Sequence, residues 1–250
     1  MNAIEQLKST VWGIILAAGS SKRMGSPKLL LPYQNKPILR HVLDNSRKSA
    51  LMGRTIVVNP YIPGLMEAAS LPDIEKVIHN FNTSEGLSSS IKAGLSTIPK
   101  EAEGALFLLA DQPLLTCCDI NRVIGRFYRD KTRPLIVQAS YHNQKGHPVL
   151  FHRSLFLEFN SLTGERGGKV ILQNYKNQVV YADMGKSIEP DIDTVSDYEN
   201  LAIYDKDDER LVRVCQRSPF FDNWNDWECT GIENWKESVQ GWLDGLSGGM

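Results

Sequence analysis

The chain alternates short apolar runs with longer stretches in which apolar residues recur at helical spacing. The apolar runs cover residues 12–16, 56–58, 76–78 and 104–110. Each is short enough to form a strand that is buried on both faces. Between them, Ile38, Leu39, Val42 and Leu43 fall on one face of a predicted helix that starts at Pro37. This alternation of strand and helix predicts a doubly wound, mostly parallel sheet.

The second half of the chain continues the pattern with strands at residues 134–138, 147–151 and 179–181. The first two are separated by a polar segment, and we interpret the pair as a hairpin-like excursion. Further helices are predicted at residues 65–69, 91–95, 119–129, 170–172 and 196–199. The predicted fold is α/β, a Rossmann-like three-layer α/β/α arrangement with a mostly parallel sheet. We assign it to residues 10–203.

Residues 204–250 form a separate segment that we predict to be a helical C-terminal extension. The segment begins with a charged run and then carries four of the five tryptophans, namely Trp224, Trp227, Trp235 and Trp242. The spacing of Trp235, Val239 and Trp242 is helical. The extension is expected to pack on the domain or on a second subunit, and a segment that docks a partner protein is the alternative.

Composition excludes two classes of partner. The formal net charge is −1 and the pI is near 6.5, so no global basic surface points to nucleic acid. No run of 18 apolar residues is present, so no membrane span is expected. The first ten residues lack the layout of a signal peptide, and the four cysteines lack metal-binding spacing. We therefore expect a reduced, cytoplasmic protein.

The loop after the first strand carries the strongest chemical signal. Small residues at 17–21 are followed by the cations Lys22, Arg23 and Lys28. Small side chains let backbone N–H groups approach phosphate oxygens, and the cations neutralise their charge. The alternative is an ordinary surface loop with solvated charges. The spacing from Gly19 to Gly25 fits neither a P-loop nor a dinucleotide-binding loop.

Two further positions combine acids with strand ends. Asp111 follows the strand at 104–110, where it is either a Mg²⁺ ligand or the cap of the next helix. Asp191 and Asp193 are two residues apart in an extended stretch, so they point to the same side. Two such carboxylates repel each other unless a cation lies between them. The alternative is a turn in which Thr194 and Ser196 cap a helix.

A polar segment at residues 80–90 precedes the helix at 91–95. It is either a serine-rich N-cap or a polar pocket for a nucleobase or ribose at a strand end.

Residues 16–31 read L-A-A-G-x-S-x-R-M-G-x-x-K-L-L-L, which resembles the signature loop of the nucleotidyltransferases. More narrowly, the segment resembles the molybdenum cofactor cytidylyltransferase family, relatives of the MobA-type guanylyl-transferring enzymes. Four more segments resemble motifs of that family in the same order: residues 80–90, L-A-D-Q-P at 109–113, K-G-H-P-V-L-F at 145–151 and D-I-D-T-x-x-D-Y at 191–198. The resemblance spans about residues 10–203 and implies a nucleotide-diphospho-sugar transferase-like fold.

The resemblance implies roles for individual residues. The implied nucleotide-binding set is Leu16, Ala17, Ala18, Gly19, Arg23, Lys28, Asn82, Gly86, Ser89 and Ser90. The implied catalytic set is Arg23, Lys28 and Asp111, and Asp111 and Asp193 are the implied Mg²⁺ ligands. The implied substrate-binding set is Gln112, His147, Arg166, Gly167 and Lys169. Residues 162–169 depart from the family motif, with Glu165 for Asp, Gly168 for Ala and Lys169 for Arg.

The implied activity is transfer of CMP from CTP to the molybdopterin-bound molybdenum cofactor, with Mg²⁺ as cofactor and pyrophosphate as the leaving group. Ala18 stands where guanylyl-transferring relatives usually have Gly, which favours CTP over GTP. Three alternatives stay open: a GTP-using enzyme, a sugar- or polyol-phosphate nucleotidyltransferase, and a non-catalytic carrier of the cofactor. The implied partners are the nucleotide, the molybdopterin cofactor and, as a possibility, the apo-protein of a xanthine-dehydrogenase-type molybdoenzyme.

Overall fold

The computed structural model describes residues 9–21, 23–72, 74–142, 144–188 and 191–207, with side chains up to Leu201. The strands in chain order are β1 (Val11–Ala17), β2 (Pro32–Tyr33), β3 (Lys36–Pro37), β4 (Gly53–Val58), β5 (Lys76–His79), β6 (Gly104–Leu109), β7 (Ile136–Tyr141), β8 (Gln144–His152) and β9 (Val179–Asp183). The α-helices are α1 (Ile38–Arg47), α2 (Leu65–Ala69), α3 (Leu87–Leu95), α4 (Cys117–Tyr128), α5 (Lys169–Asn174) and α6 (Val195–Asp207).

Seven of these strands form one sheet in the order β5-β4-β1-β6-β8-β7-β9. The pairs β1–β4, β1–β6, β4–β5 and β7–β9 are parallel. Strand β8 runs antiparallel to both neighbours, β6 and β7, and β7–β8 is the predicted hairpin with a bulge at Gln138/Ala139. The prediction of a mostly parallel sheet is confirmed.

Strand β1 lies at the centre of the parallel part because its apolar residues need cover on both faces and both edges. Leu16 is in register with Val57 of β4 and Leu109 of β6, so the three strands end at one level. The chain leaves β1 toward β4 and later returns to the opposite side of β1 as β6. In such sheets, ligands bind where the strand order reverses, outside the carboxyl ends of the strands.

Two apolar layers cover the faces of the sheet, which confirms the three-layer arrangement. On one face, α1 buries Ile38, Leu39, Val42 and Leu43 completely. Helix α4 buries an apolar stripe beside them, formed by Ile120, Val123, Ile124 and Phe127. On the other face, Ile91 of α3 and Ile171 of α5 pack with an aromatic group formed by Phe107, Phe151 and Phe159. This aromatic group is the floor of a cavity described below.

Several local elements differ from the predictions. Helix α3 begins at Leu87, four residues earlier than expected, because its first turn is made of serines that carry no apolar period. The two-residue strands β2 and β3 and the 3₁₀ helix Arg153–Ser161 were not predicted. Cys118 is disulfide-bonded, contrary to the expectation of reduced thiols.

Across the residues described, no helix combines the length and the apolarity needed to cross a bilayer. Helix α6 continues to Asp207, past the predicted domain end at residue 203. The tryptophan-rich extension that we predicted lies outside the described residues from position 208 onward.

Candidate active site

Two acids and two cations meet beside the carboxyl ends of β1 and β6. The Lys28 Nζ atom donates to Asp111 Oδ2 at 2.7 Å and to Asp193 Oδ1 at 2.8 Å. The Arg23 guanidinium lies 3.0 Å from the other oxygen of Asp193. Lys28 is largely buried, with 12% of its side chain exposed, whereas Arg23 is 73% exposed. Four residues predicted from three separate motifs therefore form one cluster.

Local contacts hold the second acidic segment against the first. The backbone N–H of Ile192 donates to the carbonyl oxygen of Asp111 at 3.2 Å, and the Ile192 side chain is fully buried. Beyond it, Asp197 Oδ2 accepts hydrogen bonds from the backbone N–H groups of Asp193 and Thr194 at 3.1 and 2.7 Å. The segment is thus fixed on both sides of Asp193, so this carboxylate is held in place before any ligand binds.

The charges of the cluster are mutually dependent. Burial lowers the pKa of Lys28, but the pairing with Asp111 and Asp193 outweighs burial and leaves that pKa raised. The hydrogen bond from Lys28 lowers the pKa of Asp193. Burial, followed by the negative charge of Asp111, raises the pKa of the neighbouring Asp191. Two acids therefore flank the charged Lys28 ammonium, with Asp191 and Arg23 nearby, so acids and cations are held together at this point.

The cluster fits a divalent ion that is shared with a ligand. Asp111 Oδ2 and Asp193 Oδ1 both accept from the Nζ atom of Lys28. The distance between these two oxygens is therefore at most the sum of the two hydrogen-bond lengths. Within the described part of the chain, no three His, Cys, Asp or Glu side chains form a metal site by themselves. Mg²⁺ is usually held by one or two carboxylates together with substrate phosphates and waters. The donor set present here agrees with that mode of binding.

The structure separates the alternatives that the sequence left open. Asp111 does not cap the next helix, because Thr116 and Asp119 form a reciprocal capping box at the start of α4. The serines do not cap α3, whose N-cap is Gly86 without a side-chain hydrogen bond. Thr194 does pair with Asp197 at the start of α6. That cap coexists with the acidic pair at Asp191 and Asp193.

The loop after β1 is open to ligands along its small residues. Gly19 and Ser20 are exposed, and a Cβ at Gly19 would meet no atom within 4 Å. The loop is anchored by buried Met24, whose N–H donates to the Ser21 carbonyl at 3.0 Å. Ala17 and Ala18 are buried and Leu16 is half-buried, so they contribute backbone to the loop. Lys22 lies outside the described residues.

The predicted base and ribose residues form a compact group at the start of α3. Ser89 and Ser90 are buried, and Gly86 precedes them at a φ of 79°. Sequence reasoning did not select Asn80, which is 4% exposed and donates to both serine hydroxyls at 2.8 and 2.9 Å. The sequence feature that could have identified Asn80 is its position directly after strand β5.

A cavity of about 440 Å³ opens beside the acidic cluster. Four of the five predicted substrate-binding residues line it, together with Asp191; the four are Gln112, His147, Arg166 and Lys169. Its floor is the aromatic group of Phe107, Phe151 and Phe159. Gly167, the fifth, has a φ of 48° and packs against Leu87. Gln138 and Lys145 also line the cavity and were not predicted.

Two polar groups in the cavity have defined states. Burial lowers the pKa of His147, so its ring is neutral at neutral pH. The Gln112 Nε2 atom donates to Asp191 Oδ1 at 2.6 Å. The Gln112 Oε1 atom is buried and accepts no hydrogen bond from any part of the chain that the structure describes. A buried acceptor without a donor is costly, so this oxygen favours a ligand that carries an N–H or O–H group.

Comparison with known proteins agrees with this geometry. Residues 13–179 match the model of the MobA-like NTP transferase domain. The chain belongs to this family. It is a nucleotidyltransferase of the MobA-like type, as the signature loop indicated. The match runs from within β1 to the first residue of β9. It therefore includes Lys28, Asp111 and most of the residues that line the cavity, whereas Asp191 and Asp193 lie beyond it.

Curated relatives of this MobA-like protein extend over about three quarters of its length. The molybdenum cofactor cytidylyltransferase of Escherichia coli is 30% identical over 191 residues, which are 74% of this chain and 92% of the relative. The nicotine blue oxidoreductase of Paenarthrobacter nicotinovorans is 27% identical and covers 76% of this chain and 96% of the relative.

Solved structures with the same fold include an Rv0371c homologue from Mycobacterium sp. strain JC1. It is 27% identical, has a TM-score of 0.69 and covers 80% of this chain and 99% of its own. Rv0371c of Mycobacterium tuberculosis was crystallised with manganese; it is 25% identical, has a TM-score of 0.60 and covers 76% of this chain and 97% of its own. A CMP-2-keto-3-deoxy-manno-octonic acid synthetase with CTP shares the fold of this MobA-like domain at 14% identity, with a TM-score of 0.65 and coverage of 79% and 99%.

Proposed function

We propose that this protein transfers CMP from CTP to the terminal phosphate of the molybdopterin molybdenum cofactor and releases pyrophosphate. The observation that supports this proposal most is the convergence of Asp111 and Asp193 on Lys28 at the carboxyl ends of the central strands. Phosphoryl-group transfer needs positioning and charge neutralisation more than covalent chemistry from the protein. The cluster supplies both cations and acids for that task.

The choice of CTP as donor rests on two points. The curated relative at 30% identity is a cytidylyltransferase. Ala18 also stands at a position where guanylyl-transferring relatives usually have Gly, and one methyl group discriminates only modestly. Guanylyltransferases from Yersinia match at 28% identity, so GTP is the competing donor.

The proposed reaction is an in-line displacement at the α-phosphorus. An oxygen of the acceptor phosphate forms a bond to the α-phosphorus, the bond to the β-bridging oxygen breaks, and pyrophosphate leaves with that electron pair. Lys28 and Arg23 bind the triphosphate and offset the charge that develops on the leaving group. The backbone of residues 17–19 contacts the phosphates from the loop side. No side chain of the protein forms a covalent intermediate in this scheme.

Asp111 and Asp193 would hold a divalent ion, and we propose Mg²⁺ for it. Such an ion, when bound, polarises phosphate oxygens and screens their charge. A structural neighbour from the same fold group contains manganese, another ion of this class.

The cavity beside the cluster suits an acceptor with a flat, hydrogen-bonding ring. Its aromatic floor favours a ring system over a polyol chain, because a polyol would lose water without gaining hydrogen bonds there. The unpaired Gln112 Oε1 favours an N–H donor, which a pterin carries at its edge. Arg166 and Lys169 at the rim supply cations for its phosphate. These features favour a pterin phosphate over a sugar or polyol phosphate.

The experiment that tests this function measures pyrophosphate release with CTP, GTP, ATP or UTP, each with and without the molybdenum cofactor and Mg²⁺. We expect release with CTP and the cofactor together. Asp111→Asn should reduce the rate at least about 100-fold, because it removes one of the two carboxylates that would hold the divalent ion at the reacting phosphates. The control is Asp130→Asn, which changes a surface acid paired with Arg126.

Three results would overturn the proposal. The first is a clear preference for GTP. The second is release with a sugar phosphate in place of the cofactor. The third is an Asp111→Asn variant as active as the Asp130→Asn control. Cofactor binding without any pyrophosphate release would instead support a carrier that passes the cofactor to a molybdoenzyme apo-protein.

A further inference from the structure

Three cations line the cavity beside the acidic cluster, and none of them has an acid partner within the part of the chain that the structure describes. They are Lys145 of β8, Arg166 before α5 and Lys169 at the start of α5. The two acids in the same lining are already engaged, since Asp191 accepts from Gln112 and Glu165 accepts from the N–H of Leu87. The lining therefore carries positive charge that the described residues leave unpaired, and it favours a ligand with several negative charges.

Lys145 differs from the other paired lysines in the kind of group that holds it. Its Nζ atom lies 4.8 Å from the centroid of the Tyr181 ring. The face of an aromatic ring attracts an ammonium group, but the ring has no net charge and does not neutralise the lysine. Lys28 and Lys186, in contrast, bond to carboxylates. The Lys145 ammonium is thus held in place while its charge stays available to a ligand.

The pairing of the strands puts Tyr181 on the face of the sheet that carries the cavity. Tyr181 of β9 is in register with Gln138 of β7, which is in register with Val149 of β8. Residues that pair across neighbouring strands lie on the same face, and Gln138 and Val149 both line the cavity. Lys145 and Tyr181 therefore lie on the side of the cavity that faces the edge strand β9.

Lys145 lies apart from the cations beside the acidic cluster. The charges that act on the pKa of His147 are those of Asp111 and Lys169, and that of Lys145 is not among them. Yet Lys145 is only two residues from His147 on β8, about 7 Å along the strand. The contact with Tyr181 explains this, because it draws the ammonium toward β9 and away from His147. The cavity therefore has one cationic region near the cluster and a second one at Lys145.

We propose that Lys145, supported by the Tyr181 ring, forms a second anion-binding subsite of the cavity, which takes a negatively charged group of the acceptor other than the reacting phosphate. This inference rests on the proposed function, which places the acceptor in this cavity. The acceptor class that fits is a ring system with anionic groups at two separate positions. In the proposed acceptor, the molybdenum centre with its oxygen and sulfur ligands is the second such group.

Replacing Lys145 with Met removes the charge and keeps an unbranched stem. We expect the affinity for the molybdenum cofactor to fall at least about tenfold, because the second anion loses its charged partner. The affinity for 6-hydroxymethylpterin phosphate, which has the ring and one phosphate only, should stay within about twofold. Lys145→Arg keeps the charge and should restore most of the affinity. Tyr181→Leu keeps the charge but frees the ammonium, so its loss should be smaller than that of Lys145→Met.

The test measures dissociation constants by calorimetry for three ligands: the molybdenum cofactor, 6-hydroxymethylpterin phosphate and CTP with Mg²⁺. Its matched control is Lys76→Met. The Lys76 Nζ atom also lies over an aromatic ring, that of Trp12 at 5.8 Å, but Lys76 does not line the cavity. The control should leave all three constants unchanged. Pyrophosphate release is measured on the same proteins.

The outcomes separate this inference from the proposed function. A loss of affinity that is confined to the molybdenum cofactor, and that Lys145→Arg restores, supports the second subsite. An equal loss for both pterin ligands, a loss for CTP or no loss at all overturns the subsite alone. If the wild type binds the cofactor but releases no pyrophosphate, the proposed transfer fails and the dissociation constants still decide on the subsite. A wild type that binds neither pterin ligand overturns both.

Discussion

Lys28 is the residue on which the candidate site depends most. Its ammonium group balances Asp111 and Asp193 in the absence of nucleotide, and it is also a predicted contact of the triphosphate. Two of its three hydrogens are used by the acids, which leaves one for the phosphates. A divalent ion on the acids would free the other two hydrogens for the phosphates.

Replacing Lys28 with Met should therefore have an effect that depends on divalent ions. Without the ion, the variant should lose about 1–3 kcal/mol of stability, because Asp111 loses its ion pair and faces Asp193, which keeps only the exposed Arg23 as a partner. Mg²⁺ should raise the melting temperature of the variant more than that of the wild type, and pyrophosphate release should fall at least about 100-fold. Thermal denaturation with and without Mg²⁺ measures the first two effects.

The matched control is Lys36→Met, which breaks another lysine–aspartate pair, with Asp44, away from the cluster. An equal response to Mg²⁺ in both variants would contradict the role assigned to Lys28.

His41 predicts how stability depends on pH. The ring is buried, and its Nε2 atom lies 2.8 Å from the Tyr33 carbonyl oxygen, to which it must donate. Burial lowers the pKa of His41 below its usual value of about 6.5. Between the lowered pKa and about 6.5, the unfolded chain binds a proton that the folded chain refuses. Stability is therefore complete above about pH 6.5 and falls as the pH drops below it.

Urea denaturation between pH 5 and 8 should show this loss, and His41→Gln should make the pH dependence shallower. The dependence should not vanish, because burial also lowers the pKa values of His147 and His152. An unchanged slope in His41→Gln would show that this histidine does not contribute to it.

At the scale of elements, the segment that starts α3 and the loop at residues 162–168 act as one unit. Gly86 packs on Gly164, and the N–H of Leu87 donates to Glu165 Oε2 at 3.3 Å. The first segment carries predicted nucleotide contacts and the second carries predicted acceptor contacts. Their packing therefore joins the two halves of the candidate site.

Gly86→Ala should break this unit. Gly86 has a φ of 79°, and a Cβ there would lie 2.7 Å from the Gly164 carbonyl carbon. We expect about 1–3 kcal/mol of lost stability from strain and displacement of the loop, with weaker binding of both nucleotide and acceptor. Denaturation and calorimetry measure these effects. Weaker binding of only one ligand would mean that the two segments act separately.

Gly19→Ala is the opposite case, since nothing lies near the added methyl group and the backbone is not in the left-handed region. Its stability should equal that of the wild type within about 0.5 kcal/mol. Its affinity for CTP should nevertheless fall about tenfold if the backbone here approaches phosphate, because the methyl group would occupy that space. Calorimetry with CTP, and with CMP as the ligand lacking the β- and γ-phosphates, separates a phosphate effect from a base effect.

The elements differ in how well the sequence alone predicts them. Strands β1, β4 and β6 could be predicted because burial on both faces requires an unbroken apolar run. The start of α3 could not, because Ser88–Ser90 pack through hydrogen bonds and leave no apolar period. Lys28, Asp111 and Asp193 belong to recognisable motifs, and their meeting follows from parallel strands that end together. Asn80 was missed because its importance lies in contacts nine and ten residues away.

For the whole molecule, topology brings the distant motifs together. Lys28 and Asp193 are 165 positions apart in the chain. Asp193 reaches Lys28 because β9 pairs with β7 and the chain after β9 then returns to the end of β6, where Ile192 bonds to Asp111. The contact is therefore a property of the complete domain, and no fragment that lacks the segment after β9 can form it.

The catalytic domain needs less than the full length of the chain. The E. coli relative matches over 92% of its own length but over only 74% of this chain, so a complete relative fits within about three quarters of the sequence. Leu201 of α6 is buried, and the Tyr198 hydroxyl donates to the Pro32 carbonyl at 2.6 Å. Compared under reducing conditions, which also remove the disulfide of Cys118 from the full chain, a chain ending after residue 207 should therefore keep its melting temperature within a few degrees and release pyrophosphate at the rate of the full chain.

A chain ending after residue 194 is the informative contrast, because it removes Asp197, which holds the backbone N–H of Asp193. It should lose most of its activity and its response to Mg²⁺, and loss of the Leu201 packing should lower its melting temperature. If the 207-residue chain is folded and still binds CTP but is inactive, then residues 208–250 belong to the catalytic unit. The catalytic domain would then not end at residue 203, as we predicted, because the extension would complete the acceptor site.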